Sequence, residues 1–249
     1  MRNLTDPVRR RAARILGQQP VPVGIAGGVF SISFDDFPQS AWEVAGPILK
    51  DHGVLATYFV AGGLCDGENI GKRQFSVNDL QALFEAGHEV GCHTFDHVSA
   101  LRIGPAALEA QIARNARWVS ERLDGHTMTQ FAWPFGDVSL SAKAVVARHF
   151  EHSRGVRDGV NSGRADRNNL QAIGLESRRL PHYDLEALMA RTADSNGWLI
   201  AYGHDVEDNP TPYGCTPEDL VRIIEMARQA GLTIAPVSSA ASMMASTRI

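Results

Sequence analysis

Two adjacent carboxylates, Asp35 and Asp36, close an apolar run at 29–34. Side by side they repel each other and are costly in a core, so the pair marks either a turn or a site that uses negative charge. Pro38 restricts the chain just beyond them. A second cluster is His93-Thr94-Phe95-Asp96-His97. Two imidazoles four residues apart can meet one ion if the segment turns helically after a strand. A carboxylate from another strand end would complete a site of two histidines and one acid, with positions left open for water and substrate. Asp36 is the natural third ligand. His204 ends another apolar run and is followed by Asp205. Such a histidine is either a satisfied structural residue or, beside an activated water, an acid, because imidazole titrates near neutrality.

These residues are scattered over 170 positions, so something must gather them. The chain alternates short apolar runs with amphipathic segments. Strands are expected at 29–34, 54–60, 88–92, 130–133, 151–156, 170–174, 198–203 and 233–237. Helices are expected at 41–51, from Ser76 to the Gly87 stop, at 105–123 and from 216 to Gly231. Ser76 with Asp79 reads as an N-terminal cap, and Pro105 and Pro217 sit in first turns. The long helix carries Leu108, Ile112, Val119 and Leu123 on one face. Alternating strands and helices imply a parallel sheet with enough strands to close into an α/β barrel. Chemistry in such barrels sits at the C-terminal strand ends, where Asp35, Asp36, His93 and His204 all fall.

The 249 residues allow one large α/β domain or two small ones. A hydrophobic share of 44% and a charged share of 21% fit a globular protein. A net charge of −4 gives no footprint for nucleic acid. No run is apolar for long enough to span a bilayer. Cys65, Cys92 and Cys215 are odd in number and far apart, which argues against a disulfide framework. The basic start, with Arg2, Arg9, Arg10 and Arg11, has no apolar core after it and reads as a surface helix or arm over 1–27 rather than a signal peptide. A cytoplasmic location is the expectation, with a single catalytic domain over 28–249.

Four blocks in order carry a resemblance: Ser33-Phe34-Asp35-Asp36; 87–97 with its two histidines; Phe131-Ala132-Trp133-Pro134-Phe135-Gly136; and 199–204 ending in His204. Together they resemble the polysaccharide deacetylase (NodB homology, carbohydrate esterase 4) family, over about residues 28–240. The resemblance implies a distorted (β/α) barrel and one divalent ion, zinc before cobalt, nickel, iron or manganese. It implies Asp35 as general base, Asp36, His93 and His97 as metal ligands, His204 as general acid and the Phe135 N–H as an oxyanion donor. The implied reaction removes the acetyl group from an N-acetylated carbohydrate.

One departure stands out. The family's third block ordinarily opens with an arginine that orients the catalytic Asp, and here that position is Ala132. Arg154 or Arg157, on the next strand end, is expected to supply the guanidinium, with Arg154 the nearer choice. The departure leaves open a same-fold hydrolase of a non-sugar C–N bond, such as a cyclic ureide or imide; an inactive glycan-binding domain is a third reading, against which stands the presence of Asp35, Asp36, His93, His97 and His204 together. Trp133, Pro134 and Tyr202 are expected to bind substrate, with Phe135 and Tyr213 as further aromatics near strand ends.

Overall fold

The structure is a computed structural model that describes residues 6–245. Residues 1–5 and 246–249, including Arg2 of the basic stretch, lie outside the described residues. Eight strands make the main sheet: β1 (Val29–Asp36), β2 (Thr57–Val60), β3 (Glu89–Cys92), β4 (Gln130–Ala132), β5 (His152–Arg154), β6 (Ile173–Gly174), β7 (Trp198–Gly203) and β8 (Thr233–Ile234). The order is β6-β7-β1-β2-β3-β4-β5, all parallel, and β8 pairs with β1 at its start. A bridge between Arg154 and Leu170, just before β6, joins the two ends and curls the sheet into a distorted barrel. β1 and β7 are buried along their whole length, as strands covered on both faces must be.

Helices pack outside the barrel. The Ser76 cap is a full capping box with Asp79 and starts the helix Val77–Glu85. Pro105–Ser120 and Pro217–Gln229 each carry proline in their first turn. The segment expected as one helix over 41–51 is two, Ser40–Glu43 and Ala45–Asp51, meeting at Val44. The 105–123 helix stops at Ser120 and tightens into turns. The last strand is shorter than 233–237: Ala235 still donates to Phe30, but Pro236 has no N–H to continue the ladder, and a helix begins at Val237. Helices Leu140–His149 and Leu185–Asp194 were not foreseen; each has a side-chain cap, from Ser139 and Asp184. A helix does occupy Asp6–Ile15, and Arg9 ties it to the Leu101 carbonyl at 2.8 Å. Among the described residues no helix is long and apolar enough to cross a membrane.

The pairing register sets the height of the site. Gly203 sits opposite Phe34, Asp35 opposite Phe59, and Ala132 opposite Arg154. The C-terminal ends of β1, β3, β4, β5 and β7 therefore open at one mouth. A larger groove of about 880 Å³ lies at the opposite end, by Trp42, Lys50, Leu55 and His88, away from these residues.

Candidate active site

Successive residues on a strand face opposite sides, so Asp35 and Asp36 should not share a cavity. They do because β1 ends in left-handed backbone: Asp36 has φ 62° and Phe37 φ 72°. The Phe37 N–H returns to the Asp35 carbonyl at 2.6 Å, closing a tight turn that swings Asp36 back to the mouth. Side chains other than glycine rarely adopt such φ values without a compensating role.

His93 and His97 also meet, though not on a helical turn. Segment 93–97 is a bend, with Thr94 at φ 61° and His97 at φ 49°. Gln111 of the neighbouring helix holds the bend, accepting from the N–H groups of Phe95 (3.2 Å) and Asp96 (2.8 Å). The two imidazole rings lie 4.9 Å apart.

Asp36, His93 and His97 offer three ligand atoms within 4.8 Å of one another. Asp36 Oδ1 is 3.5 Å from His93 Nε2 and 3.1 Å from His97 Nε2. Ligands about 2.1 Å from a tetrahedral ion sit about 3.4 Å from each other, so the spacing suits a divalent cation. Asp36 Oδ1 is buried with no hydrogen-bond partner, while Oδ2 accepts from Asn69 Nδ2 at 2.7 Å. His93 Nδ1 lies 2.8 Å from the Ala132 carbonyl, which can only accept, so the proton sits on Nδ1 and Nε2 is left bare. Burial pushes the pKa of His93 down against the pull of Asp35 and Asp36, and that of His97 down to about 4. Both imidazoles are therefore neutral with a free lone pair, as a metal ligand requires.

Asp35 is 4% exposed and is held by Arg154, which is fully buried. One terminal nitrogen of Arg154 donates to Asp35 Oδ1, and Nη1 donates to the Gly155 carbonyl at 2.9 Å. The contact is thus single rather than a two-pronged grip. Burial raises the Asp35 pKa, but the Arg154 charge, with His93, His204 and the Arg154 hydrogen bond, more than reverses it, and the net shift is down. The guanidinium lies 5.2 Å from the Phe59 ring and 4.8 Å from that of Tyr202. Arg157 is exposed and lines a separate polar hollow on the far side of its loop.

His204 faces the cluster from β7, its Nε2 3.9 Å from Asp36 Oδ2. Phe135 sits at φ 60° in the turn after β4. The next two N–H groups close that turn, Gly136 onto Trp133 O and Asp137 onto Pro134 O, and the Phe135 N–H precedes them at the rim.

The cleft over these residues has a volume of about 320 Å³ and is lined on its far side by Glu176, Arg178, Arg179 and Tyr202. Of the third block, Trp133 and Phe135 border the cleft, and only the Phe135 side chain is exposed. Trp133 is fully buried, its indole N–H shared between Ser153 Oγ (3.1 Å) and Asn168 O (3.0 Å). Pro134 is buried as well. Trp133 borders the cleft, but strand parity turns its side chain into the helix layer. Tyr202 does line the cleft, with its hydroxyl 3.0 Å from Arg179 Nη1. The exposed aromatics are the Phe135 ring, 61% exposed and 4.4 Å from His97, and Tyr213, 44% exposed and 5.6 Å from His204. Sequence reasoning missed Asn69, Glu176, Arg178 and Arg179. Their only signal is polarity in long connections after β2 and β6.

A parallel barrel with this mouth is a fold shared with solved carbohydrate esterases of family 4. A family 4 acetyl xylan esterase from Clostridium thermocellum, solved with a cobalt ion, aligns with a TM-score of 0.57 at 19% identity, covering 86% of this chain and 91% of that one. A family 4 carbohydrate esterase from Streptomyces lividans, in complex with acetate, aligns with a TM-score of 0.57 at 20% identity, covering 84% and 92%. At these identities the likeness is one of fold. The polysaccharide deacetylase family model matches residues 26–150, about half of the chain, and the chain belongs to that family. A chitin deacetylase from Pestalotiopsis sp is 26% identical over 103 residues, 39% of this chain. The match spans about a third of that relative's length (33%).

Proposed function

We propose that the protein is a metal-dependent N-deacetylase that hydrolyses the acetamide of an N-acetylated amino sugar. The observation that carries the reading is Asp36 Oδ1, a buried carboxylate oxygen with no hydrogen bond, facing the Nε2 atoms of His93 and His97. Beside it stands a second carboxylate, Asp35, kept ionised by Arg154.

Asp36, His93 and His97 would hold a divalent ion, zinc in the first instance. When bound, it supplies a Lewis acid for the acetyl carbonyl and lowers the pKa of water. Asp35 takes a proton from the attacking water as its oxygen bonds to the carbonyl carbon. Arg154 keeps that carboxylate charged and fixed in direction, and a misplacement of about 1 Å can cost two orders of magnitude in rate. The Phe135 N–H donates to the oxygen on which negative charge gathers. The C–N bond then breaks, and His204, in its imidazolium form, gives its Nε2 proton to the departing nitrogen and is left as the neutral Nδ1–H imidazole, since an amine anion is a very poor leaving group. The products are acetate and a free amino sugar. Phe135 and Tyr213 flank the opening, where aromatic faces pack on sugar rings.

The test is acetate release from N-acetylglucosamine oligomers, and from a cyclic ureide as the contrasting C–N substrate, by zinc-loaded protein. Release from the sugar, lost on chelation and regained with zinc, is expected. Turnover of the ureide alone would overturn the reading, and so would full metal binding by His93→Ala and His97→Ala variants.

A further inference from the structure

A histidine that delivers a proton from Nε2 must be held by something at Nδ1. Among the described residues no carboxylate is hydrogen-bonded to His204 Nδ1. His204 Nδ1 lies 3.3 Å from the main-chain carbonyl of Tyr213, nine residues further on. A carbonyl only accepts, so Nδ1 keeps a proton in both charge states, and Nε2, the end that faces the cluster, is the nitrogen that gains the second proton and gives it up. The position of that carbonyl depends on loop 205–215, which has no regular structure beyond a turn and a bridge.

The loop is built around one buried acid. Asp205 is fully buried, on the opposite side of the chain from His204. Its Oδ2 accepts from the Thr211 N–H at 2.6 Å and its Oδ1 from the Thr211 hydroxyl at 2.6 Å. The same hydroxyl accepts the Tyr213 N–H at 3.2 Å, and the Thr211 carbonyl accepts the Gly214 N–H at 3.1 Å. The Asp205 carbonyl accepts the Cys215 N–H at 3.0 Å, which closes the loop at its base. The packing is so close that a Cβ on Gly214 would stand 2.3 Å from the Asp205 carbonyl oxygen. Two struts thus run from Asp205 through Thr211 to the peptides on either side of Tyr213, and a third runs from the Asp205 carbonyl to Cys215.

Both flanks are fastened. Arg178 Nε donates to the Pro212 carbonyl at 2.5 Å, and its guanidinium sits 5.6 Å from the Tyr213 ring. Lys72 pairs with Glu207 at 2.5 Å. Lys72 lies in the same short hairpin as Asn69, which holds Asp36. The loop that sets His204 and the hairpin that sets Asp36 are therefore braced against each other.

We propose that Asp205 is a positioning residue for the general acid: through Thr211 it fixes the Tyr213 carbonyl, which fixes the tautomer and direction of His204. This rests on the reading of His204 as the acid. It differs from a structural role for Asp205 in what it affects. An amine needs a proton to leave, whereas 4-nitrophenolate does not, so misplacing the acid should slow amide cleavage far more than aryl ester cleavage.

The experiment compares zinc-loaded wild type with Asp205→Asn, Thr211→Val and His204→Ala. It measures turnover of an N-acetylglucosamine oligomer and of 4-nitrophenyl acetate, and the ¹⁵N shifts of the His204 ring, assigned by their loss in His204→Ala. His204→Ala should lower the amide-to-ester ratio by about 10²-fold or more, the range for a lost acid. Asp205→Asn should lower it by about 10-fold to 10²-fold, with the ring losing its Nδ1–H tautomer. Thr211→Val, which keeps side-chain volume, should shift ratio and tautomer the same way and covers the case in which Asp205→Asn does not fold. An unchanged ratio and tautomer in Thr211→Val and any folded Asp205→Asn, with His204→Ala still lowering the ratio, would overturn the proposal alone. An unchanged ratio in His204→Ala would overturn the acid reading and the proposal together.

Discussion

Replacing Arg154 by methionine removes the guanidinium that touches Asp35 while keeping much of the side-chain volume. Both partners are buried, with side-chain exposures of 0% for Arg154 and 5% for Asp35. Removing one member of a buried ion pair costs about 3–5 kcal/mol, because the other charge is left without compensation. Two features bring the expectation to the low end, about 3 kcal/mol at pH 7. Asp35 can take up a proton, and Arg154 Nε already lacks a partner, so the native pair is not fully satisfied. The sign with pH follows from the lowered Asp35 pKa. In wild type the carboxylate contributes stability above its unfolded value near 4, lost as pH falls through the folded value. In the variant burial loses its largest opponent and the pKa rises, so the gap between the two proteins should widen from acid toward neutral pH. Urea unfolding of metal-free protein at a series of pH values reads this directly. In metal-loaded protein kcat/KM should fall by about 10²-fold, and the acid limb of its pH profile should move to higher pH. Arg154→Lys should recover only part, since a point charge does not hold the carboxylate's direction. If Arg154→Met keeps kcat/KM within about threefold, or its effect simply adds to that of Asp35→Asn, the coupling argued here is wrong.

The two acids should separate cleanly. Asp35→Asn is expected to retain metal, measured by elemental analysis, and lose about 10²-fold or more in turnover; Asp36→Asn should lose metal, and the reverse pattern would exchange their roles. At the rim, Phe135→Ala and Tyr213→Ala should raise KM for an oligosaccharide by about 5-fold to 10-fold each, from a lost stacking contact of about 1 kcal/mol, whereas Trp133→Phe should lower thermal stability and leave KM alone. His152 gives a test away from the site. Burial, helped by the charge of Arg167, lowers its pKa to about 4. It therefore contributes full stability above pH 6.5 and loses it as pH falls toward 4, a difference of about 3 kcal/mol. His152→Gln should flatten that part of the stability curve, and an unchanged slope would refute the assignment.

What could be read from the sequence was whatever sits at a strand end. Asp35, Asp36, His93 and His204 each close an apolar run, and a parallel barrel gathers such ends at one mouth. Arg154 was reachable for the same reason, being the last residue of its strand. Side-chain direction was less accessible. Whether Trp133 faces sugar or helix, and whether Asp36 can share a cavity with Asp35, depends on backbone φ at single residues, which residue types do not announce. The long connections were opaque as well. Asn69 and Tyr213 act through contacts with residues 33 positions back and 9 positions back, from segments with no periodicity to mark them. The helix Val237–Ala245 was missed because its small and apolar residues read equally well as the end of a buried strand.

The exchange of Ala132 for an arginine one strand over has a geometric logic. Ala132 and Arg154 are register partners on adjacent parallel strands, so their side chains leave the sheet at the same height and on the same face. A guanidinium from either reaches the mouth, shifted sideways by about 4.8 Å, one strand spacing. That shift is less than the length of an arginine side chain. The two positions cannot both be arginine, however. Arg154 sits between Phe59 and Tyr202, and Ala132, itself fully buried, belongs to the same inner cluster as those two rings. A second long side chain there would overfill the layer and set two cations against one Asp35. The alanine is therefore the other half of the arrangement: its small side chain leaves room for the arginine from the next strand, and what is lost at one strand end is restored at its neighbour.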